Sequence, residues 1–134
     1  MKYVVGFLFS PAYQNIVLIK KKRPEWQNGY LNGVGGKIKK YERSKRAMQR
    51  EFQEETGVDI NEWEEFAVLN GSDYIVHFFK ANSFYYLNVK PTTDEKIGIY
   101  SVSEIGKLKV IPNLSWLIPM SIEAKCCYNI IEVY

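Results

Sequence analysis

Residues 36–58, GKIKKYERSKRAMQREFQEETGV, decide the reading of this 134-residue chain. Gly36 is followed after five residues by Glu42, after seven more by Arg50-Glu51-Phe52, then by Glu54-Glu55 and Gly57-Val58. Between about 44 and 55 there is no Pro or Gly, and Ala47, Met48, Gln49, Arg50, Glu51, Gln53 and Glu54 favour a helix. Ser44 offers an N-cap hydroxyl, and Gly57 stands where a helix stops. At about 3.6 residues per turn, Glu51, Glu54 and Glu55 fall within an arc of roughly 100°. Met48 and Phe52 form the adjacent apolar stripe that seats the helix on a core. Three carboxylates so close repel one another unless a cation sits among them. Hard oxygen donors of this kind suit Mg²⁺ or Mn²⁺, with phosphate oxygens and water completing the shell. Arg50 can hold one carboxylate through a bidentate pair or reach a substrate phosphate. A Glu-rich helix face on its own is more often simply solvated. Here the cluster is part of seven fixed residues, whose chance co-occurrence is on the order of 10⁻⁸ or less at average usage.

The pattern resembles the Nudix box, GX5EX7REUXEEXGU with U a bulky aliphatic residue, and the spacing agrees throughout. Phe52 puts an aromatic ring at the first U, and Tyr41 replaces the Gly that often precedes the first Glu. The resemblance implies one α+β domain over 1–134, a Nudix α/β/α sandwich with a mixed sheet flanked by helices. It implies hydrolysis of a nucleoside diphosphate linked to another group, by attack of water on phosphorus, with Mg²⁺ (or Mn²⁺) as cofactor. By that resemblance the metal ligands are Glu51, Glu54 and Glu55 with the backbone carbonyl of Gly36, and Glu42 is a supporting residue at the edge. The general base is either a box Glu or a Glu on a later loop. Glu95, in PTTDEKIGIYSV (91–102), precedes an expected strand as that later Glu does in triphosphate-cleaving members. Asp94 and Glu104 compete with it, and an ordinary acidic turn is the alternative. The catalytic candidates are thus Glu54, Glu51, Arg50 and Glu95.

The segment LNGVGGK (31–37) resembles the NGxGGK turn of oxidised-purine (8-oxo-dGTP) diphosphatases, in which the Asn contacts the base. Asn32 is therefore a candidate base reader, since an amide offers both a donor and an acceptor to a purine edge. A turn Asn tolerating positive φ before Gly is the alternative. Lys37, and Arg23 at the end of the basic run 20–23, are candidates to meet phosphates. The segment IPNLSWLIP (111–119) resembles the stretch that opens the last helix in the same relatives, where an acidic pair reads the oxidised base. Asn113 and Leu114 stand here instead, which removes that acidic reader. Asn113 and Trp116 remain as substrate-binding candidates. Trp26 and Tyr30 offer further stacking surface, although aromatics more often pack in core or rim. The leading reading is a Mg²⁺-dependent diphosphatase of (d)NTPs, oxidised purine nucleotides among them, releasing a nucleoside monophosphate and pyrophosphate. ADP-ribose, a dinucleoside polyphosphate or a capped RNA end are the alternative substrates. A non-catalytic nucleotide sensor is a third reading, but such modules usually lose box carboxylates and all four are present.

Composition agrees with a compact enzyme: 46% hydrophobic, 25% charged, 15% aromatic. A net charge of +3 favours anionic ligands weakly and is far from a dense basic stripe, so no stable nucleic-acid partner is expected. The expected assembly is a monomer or homodimer. Cys126 and Cys127 are adjacent, which disfavours a disulfide between them, and both are expected to be buried in the last helix. His77, the single histidine, reads as a half-buried strand residue. Met1-Lys2 runs straight into a strand-like segment without a leader, no apolar run reaches the ~20 residues of a membrane span, and a cytoplasmic location is expected. Strands are expected at 3–9, 16–20, 66–69, 74–80, 84–89, 96–102 and 128–134, with turns over 25–37 and a second helix at 114–127. A mixed sheet covered by two helices follows.

Overall fold

The strands β1 (Lys2–Phe9) and β2 (Asn15–Lys20) carry apolar residues at successive positions, as strands buried on both faces do. In the computed structural model, which describes residues 1–133, their side chains sort onto two cores. Val4, Leu8, Val17 and Ile19 face one, and Phe7, Phe9, Ile16 and Leu18 the other, none more than 1% exposed. Among the described residues the mixed sheet has eight strands. Its main path runs β3 (Leu31–Asn32), β2, β1, β6 (Ile75–Asn82), β5 (Glu64–Asn70), β8 (Tyr128–Ile131). Off this path, β4 (Val34–Lys37) pairs with the first half of β1, and β7 (Lys96–Ser101) with β2. The β1–β6 and β5–β8 pairs are parallel.

Helix α1 (Ser44–Thr56) covers one face, burying Ala47, Met48 and Phe52 against Trp63 and the even-numbered side chains of β1. Helix α2 (Leu114–Glu123) covers the other with Leu114, Leu117 and Ile118. This is the expected α/β/α sandwich. The Phe52 ring meets Trp63 edge-on at 5.2 Å between centroids, so an aromatic residue at the aliphatic box position is absorbed by an aromatic partner. Burying Met48 and Phe52 contributes about 1.5–3 kcal/mol each. No described helix is long and apolar enough to cross a membrane.

Several expectations need correction. Arg43, in extended conformation, is the cap residue of α1; Ser44 is the first helical residue and no side chain caps that end. The helix does stop at Gly57, whose φ of 77° is left-handed and whose N–H donates to the Gln53 carbonyl. The stretch 25–37 is not all turn: after a short 3-10 turn at Glu25–Gln27 it forms β3 and β4. Gly35 lies in β4 because the strand runs against β1 so closely that a Cβ there would sit 1.9 Å from the Val4 carbonyl oxygen. Residues 84–89, read as a strand, form a 3-10 helix at Phe84–Asn88. The preceding strand β6 is already paired on both edges, by β1 and β5, so a following strand finds no edge to join. Helix α2 ends at Glu123, where the Lys80 ammonium, 3.0 Å away, takes the Ala124 carbonyl. Cys126 and Cys127 therefore lie exposed beyond it rather than buried within it. The last strand ends at Ile131, and Tyr134 lies outside the described residues.

Tyr41, in the loop between β4 and α1, has φ 66°. That left-handed conformation costs a non-glycine residue about 1–2 kcal/mol, which accounts for the Gly often found at this box position. The close β1–β4 approach gives a sharp expectation. Gly35→Ala should lower the urea-unfolding free energy by about 3 kcal/mol, while Gly106→Ala, with open space around it, should stay within about 0.5 kcal/mol of the parent.

Candidate active site

The centre of the site is the Arg50 guanidinium, on the face of α1 turned toward β4. Its Nε and Nη2 donate to the two oxygens of Glu42 at 2.7 and 2.9 Å, a bidentate pair. Nη2 also reaches the Lys37 carbonyl at 3.1 Å, which ties the helix to the end of β4. Nη1 donates to Glu51 Oε1 at 2.8 Å and to Glu54 Oε2 at 3.2 Å. One cation thus bridges three carboxylates and a strand. The arrangement sets the protonation of its members. The Arg50 hydrogen bonds hold the Glu42 carboxyl down at about 2. Burial pushes the Glu51 carboxyl up, against the pull of Arg50, and the charges of Glu54 and Glu55 add to the rise.

Glu51 packs against the backbone of Gly36. A Cβ at Gly36 would lie 2.4 Å from its carboxylate, so only glycine leaves room for that carboxylate beside the strand. Glu54 is exposed, and Glu55 accepts from the Thr93 hydroxyl at 3.1 Å. The structure therefore brings Glu51 and Gly36 together, joins Glu54 to them through Arg50, and anchors Glu55 to a separate loop. Among the described residues no three Asp, Glu, His or Cys side chains converge as a ready metal-binding group. The donor set nonetheless fits a hard cation. Its side-chain donors are all carboxylate oxygens, and the half-buried Glu51 carries an ionisation cost that a divalent ion would relieve.

The loop 90–95 closes on the C-terminal end of α1. The N–H of Lys90 donates to Thr56 O at 3.1 Å, the N–H of Thr92 to Glu55 O at 3.3 Å, and the Thr92 hydroxyl to the Glu54 carbonyl. Glu95 follows, 4% exposed, with Oε2 accepting the Lys22 N–H at 2.6 Å and Oε1 the Lys21 ammonium at 3.2 Å. Burial works to raise its carboxyl, but the backbone N–H of Lys22 and the charge of Lys21 outweigh it and hold the group below its ordinary value. Asp94 is engaged by Arg23 at 2.6 Å, and Glu104 pairs with Lys107 at 3.2 Å on the turn after β7. Thr92 and Thr93 were not singled out from the sequence, since a hydroxyl pair beside an acidic turn carries no pattern that marks its partners; Lys21 was read only as part of the basic run 20–23.

On the substrate side, Asn32 does not have positive φ; it lies in β3, with Oδ1 accepting the Gly33 N–H at 2.8 Å and Nδ2 donating to Gln27 at 3.2 Å. Leu31 bridges to Val110, and Ile111 N–H donates to Leu31 O, so the start of α2 lies beside β3. That brings the Asn32 strand and the Asn113–Trp116 turn next to each other. Asn113 makes no side-chain capping bond and Trp116 is 43% exposed. Lys37 is exposed at the end of β4, whereas Arg23 is held by Asp94 rather than free.

Comparison with known proteins agrees with this fold. The family profile described as the NUDIX domain matches residues 2–115. No curated protein matches the chain. Among solved structures, one from work on MutT of Aliivibrio salmonicida and Vibrio cholerae is 20% identical with a TM-score of 0.78, covering 91% of this chain and 98% of its own. The MutT protein of Bacillus halodurans is 16% identical with a TM-score of 0.76, covering 98% and 90%. The NUDIX domain of Shewanella oneidensis NrtR, complexed with ADP ribose, is 16% identical with a TM-score of 0.73, covering 92% and 86%. At these identities the three structures establish a shared fold.

The Glu42–Arg50 pair sets an acid limit. A carboxyl lowered from 4.5 to about 2 contributes stability that is present above pH ~4.5 and is lost as pH falls through ~2. Equilibrium unfolding followed by circular dichroism should show the parent losing stability across that window more steeply than Glu42→Gln. Arg50→Gln should cost about 2 kcal/mol at pH 7.

Proposed function

The chain belongs to the Nudix family of pyrophosphohydrolases, and on that premise we propose that it is a Mg²⁺-dependent nucleoside triphosphate diphosphatase, releasing a nucleoside monophosphate and pyrophosphate. The observation that carries this reading is the Glu51 carboxylate packed on Gly36 and braced, with Glu54, by Arg50. Glu51, Glu54, Glu55 and the Gly36 carbonyl would hold the metal. When bound, the ion neutralises phosphate charge and lowers the pKa of a water ligand.

The chain's own residues account for the rest. Arg50, locked on Glu42 and the Lys37 carbonyl, cannot swing away, so it fixes the directions of Glu51 and Glu54. Glu54 is the exposed carboxylate with a single hydrogen bond, from Arg50, and so is the member best placed to take a proton from an attacking water. Glu95 is ionised, but both its oxygens are engaged by the strand carrying Lys21 and Lys22. We assign it to tying loop 91–95 to that strand, ahead of proton transfer. Lys37 meets the phosphates, and Asn113 and Trp116 the base. Without the acidic pair of the oxidised-purine enzymes, base selection here rests on an amide and a stacking ring, which predicts broad rather than 8-oxo-specific turnover.

A second reading is hydrolysis of ADP-ribose, favoured by the likeness to the NrtR domain that was solved with that ligand. The two are separated by chromatography of products after incubation with Mg²⁺ and a panel of normal and oxidised dNTPs, NTPs, ADP-ribose and a dinucleoside tetraphosphate. Pyrophosphate plus monophosphate from the triphosphates is expected. Glu54→Gln should lower kcat by about 10²–10⁴-fold, and Glu95→Gln by less than about tenfold. Turnover confined to ADP-ribose would establish the second reading, and a fully active Glu54→Gln would remove the proton-acceptor role.

A further inference from the structure

The net charge of +3 conceals a sharp segregation. Residues 37–46 carry six cations (Lys37, Lys39, Lys40, Arg43, Lys45, Arg46) and one carboxylate, Glu42, a local charge of +5. The rest of the chain, with twelve cations and fourteen carboxylates, is therefore −2. The molecule pairs three cations of its other basic run, 20–23: Lys21 is held by Glu95 and both Lys22 and Arg23 by Asp94. In 37–46 it does not. All six cations are exposed and none makes an ion pair among the described residues, while the local carboxylate, Glu42, is taken by Arg50. Six like charges on one turn and the start of one helix repel one another, and the positive end of the 13-residue α1 adds to the field.

The shape of this face matches its charge. Lys39, Lys40, Tyr41, Glu42, Arg43 and Arg46 line an open concavity of about 660 Å³. At its rim Tyr41 is 93% exposed, held by the turn in a left-handed conformation that is costly for a non-glycine residue. The Lys40 ammonium lies 5.2 Å from the centre of its ring. A bare aromatic ring set among unpaired cations offers an unpaired base a stacking surface and the adjoining phosphates a counter-charge. A duplex, whose bases are already stacked, has no use for the ring, and neither has an acidic peptide. We infer that the face formed by residues 37–46 binds a single-stranded nucleic acid, with Tyr41 stacking on a base and Lys39, Arg43 and Arg46 contacting successive phosphates. This differs from the expectation drawn from net charge alone, which averages over the two regions. It stands apart from the hydrolytic reading: none of these four residues belongs to the carboxylate site.

Fluorescence anisotropy with 5′-labelled 12-nucleotide RNA and DNA, at several salt concentrations and without Mg²⁺, tests it. The full chain should bind with a Kd of about 10⁻⁶–10⁻⁴ M. The slope of log K against log[salt] should be about −2 to −3, as for three or four neutralised phosphates. Tyr41→Ala should weaken binding about 5- to 150-fold, the range of one base stack. The triple variant Lys39→Gln/Arg43→Gln/Arg46→Gln should weaken it at least about tenfold and flatten the slope. Both variants should retain mononucleotide turnover and the parent thermal transition, and Glu54→Gln should bind the strand as the parent does. Three results would overturn the inference: no binding with protein raised to about 10⁻³ M, roughly ten times the weakest expected Kd; undiminished binding in the triple variant; or displacement by inorganic polyphosphate with Tyr41→Ala unaffected, which would mark a phosphate-chain site instead.

Discussion

The site depends on one guanidinium. Glu42 comes from the loop after β4, the Lys37 carbonyl from the strand end, and Glu51 and Glu54 from α1; Arg50 is the group that touches all of them. Its planar fork is what makes this geometry possible. A lysine ammonium would supply a point charge but not two parallel bonds to Glu42 and further donors to Glu51 and Glu54. Without that cation the helix would present Glu51, Glu54 and Glu55 to one another, with Glu51 half-buried, and their repulsion would oppose the seating of the helix on the sheet. Arg50 relieves this only in part, since burial still raises the Glu51 carboxyl. The residual cost is stored where an incoming cation would act.

The sheet makes the rest of the site possible by close approach. β1 is buried on both faces, so it fixes β4 along its edge and α1 above its even-numbered side chains. Gly35 and Gly36 carry no side chain, so β4 can lie against β1 while the Glu51 carboxylate lies against β4. The loop 90–95 then attaches to the opposite end of α1 through Lys90, Thr92 and Thr93. Glu54 and Glu55 thus end up between two anchored segments, one on the Arg50 side and one on the threonine side.

What could be read from the sequence follows from how local the determinants are. The box was legible because its spacing is a helical period closed by a left-handed glycine, both properties of one continuous segment. The strands β1 and β2 were legible for the same reason, though their burial on both faces was not read from the sequence. Residues 84–89 misled because their aromatic and β-branched content suits a strand, and whether a strand finds a free edge depends on β1 and β5, far away in sequence. The glycines at 35 and 36 read as a turn because close packing against Val4 and Glu51 leaves no local mark. Asn32 and Glu95 were identified as candidates by position, yet their hydrogen bonds to Gln27, Lys21 and Lys22 required the fold. The exposed cysteines followed from an early end to α2, set by Lys80 on a neighbouring strand. A net charge, being a sum, discards the placement that gives 37–46 its field.

On the proposed function, the Glu51–Gly36 corner is where a divalent cation would offset the cost of a half-buried carboxylate. Thermal unfolding of the parent and of Glu51→Gln, with and without Mg²⁺, addresses it most directly. Without metal, Glu51→Gln should be at least as stable as the parent, because it removes a half-buried charge and keeps an oxygen for Arg50. Saturating Mg²⁺, at about 100 times its Kd, should stabilise the parent by about 2.7 kcal/mol, several degrees in Tm, and leave the variant nearly unmoved. An equal Mg²⁺ shift in both proteins, or a metal-free variant markedly less stable than the parent, would contradict the account.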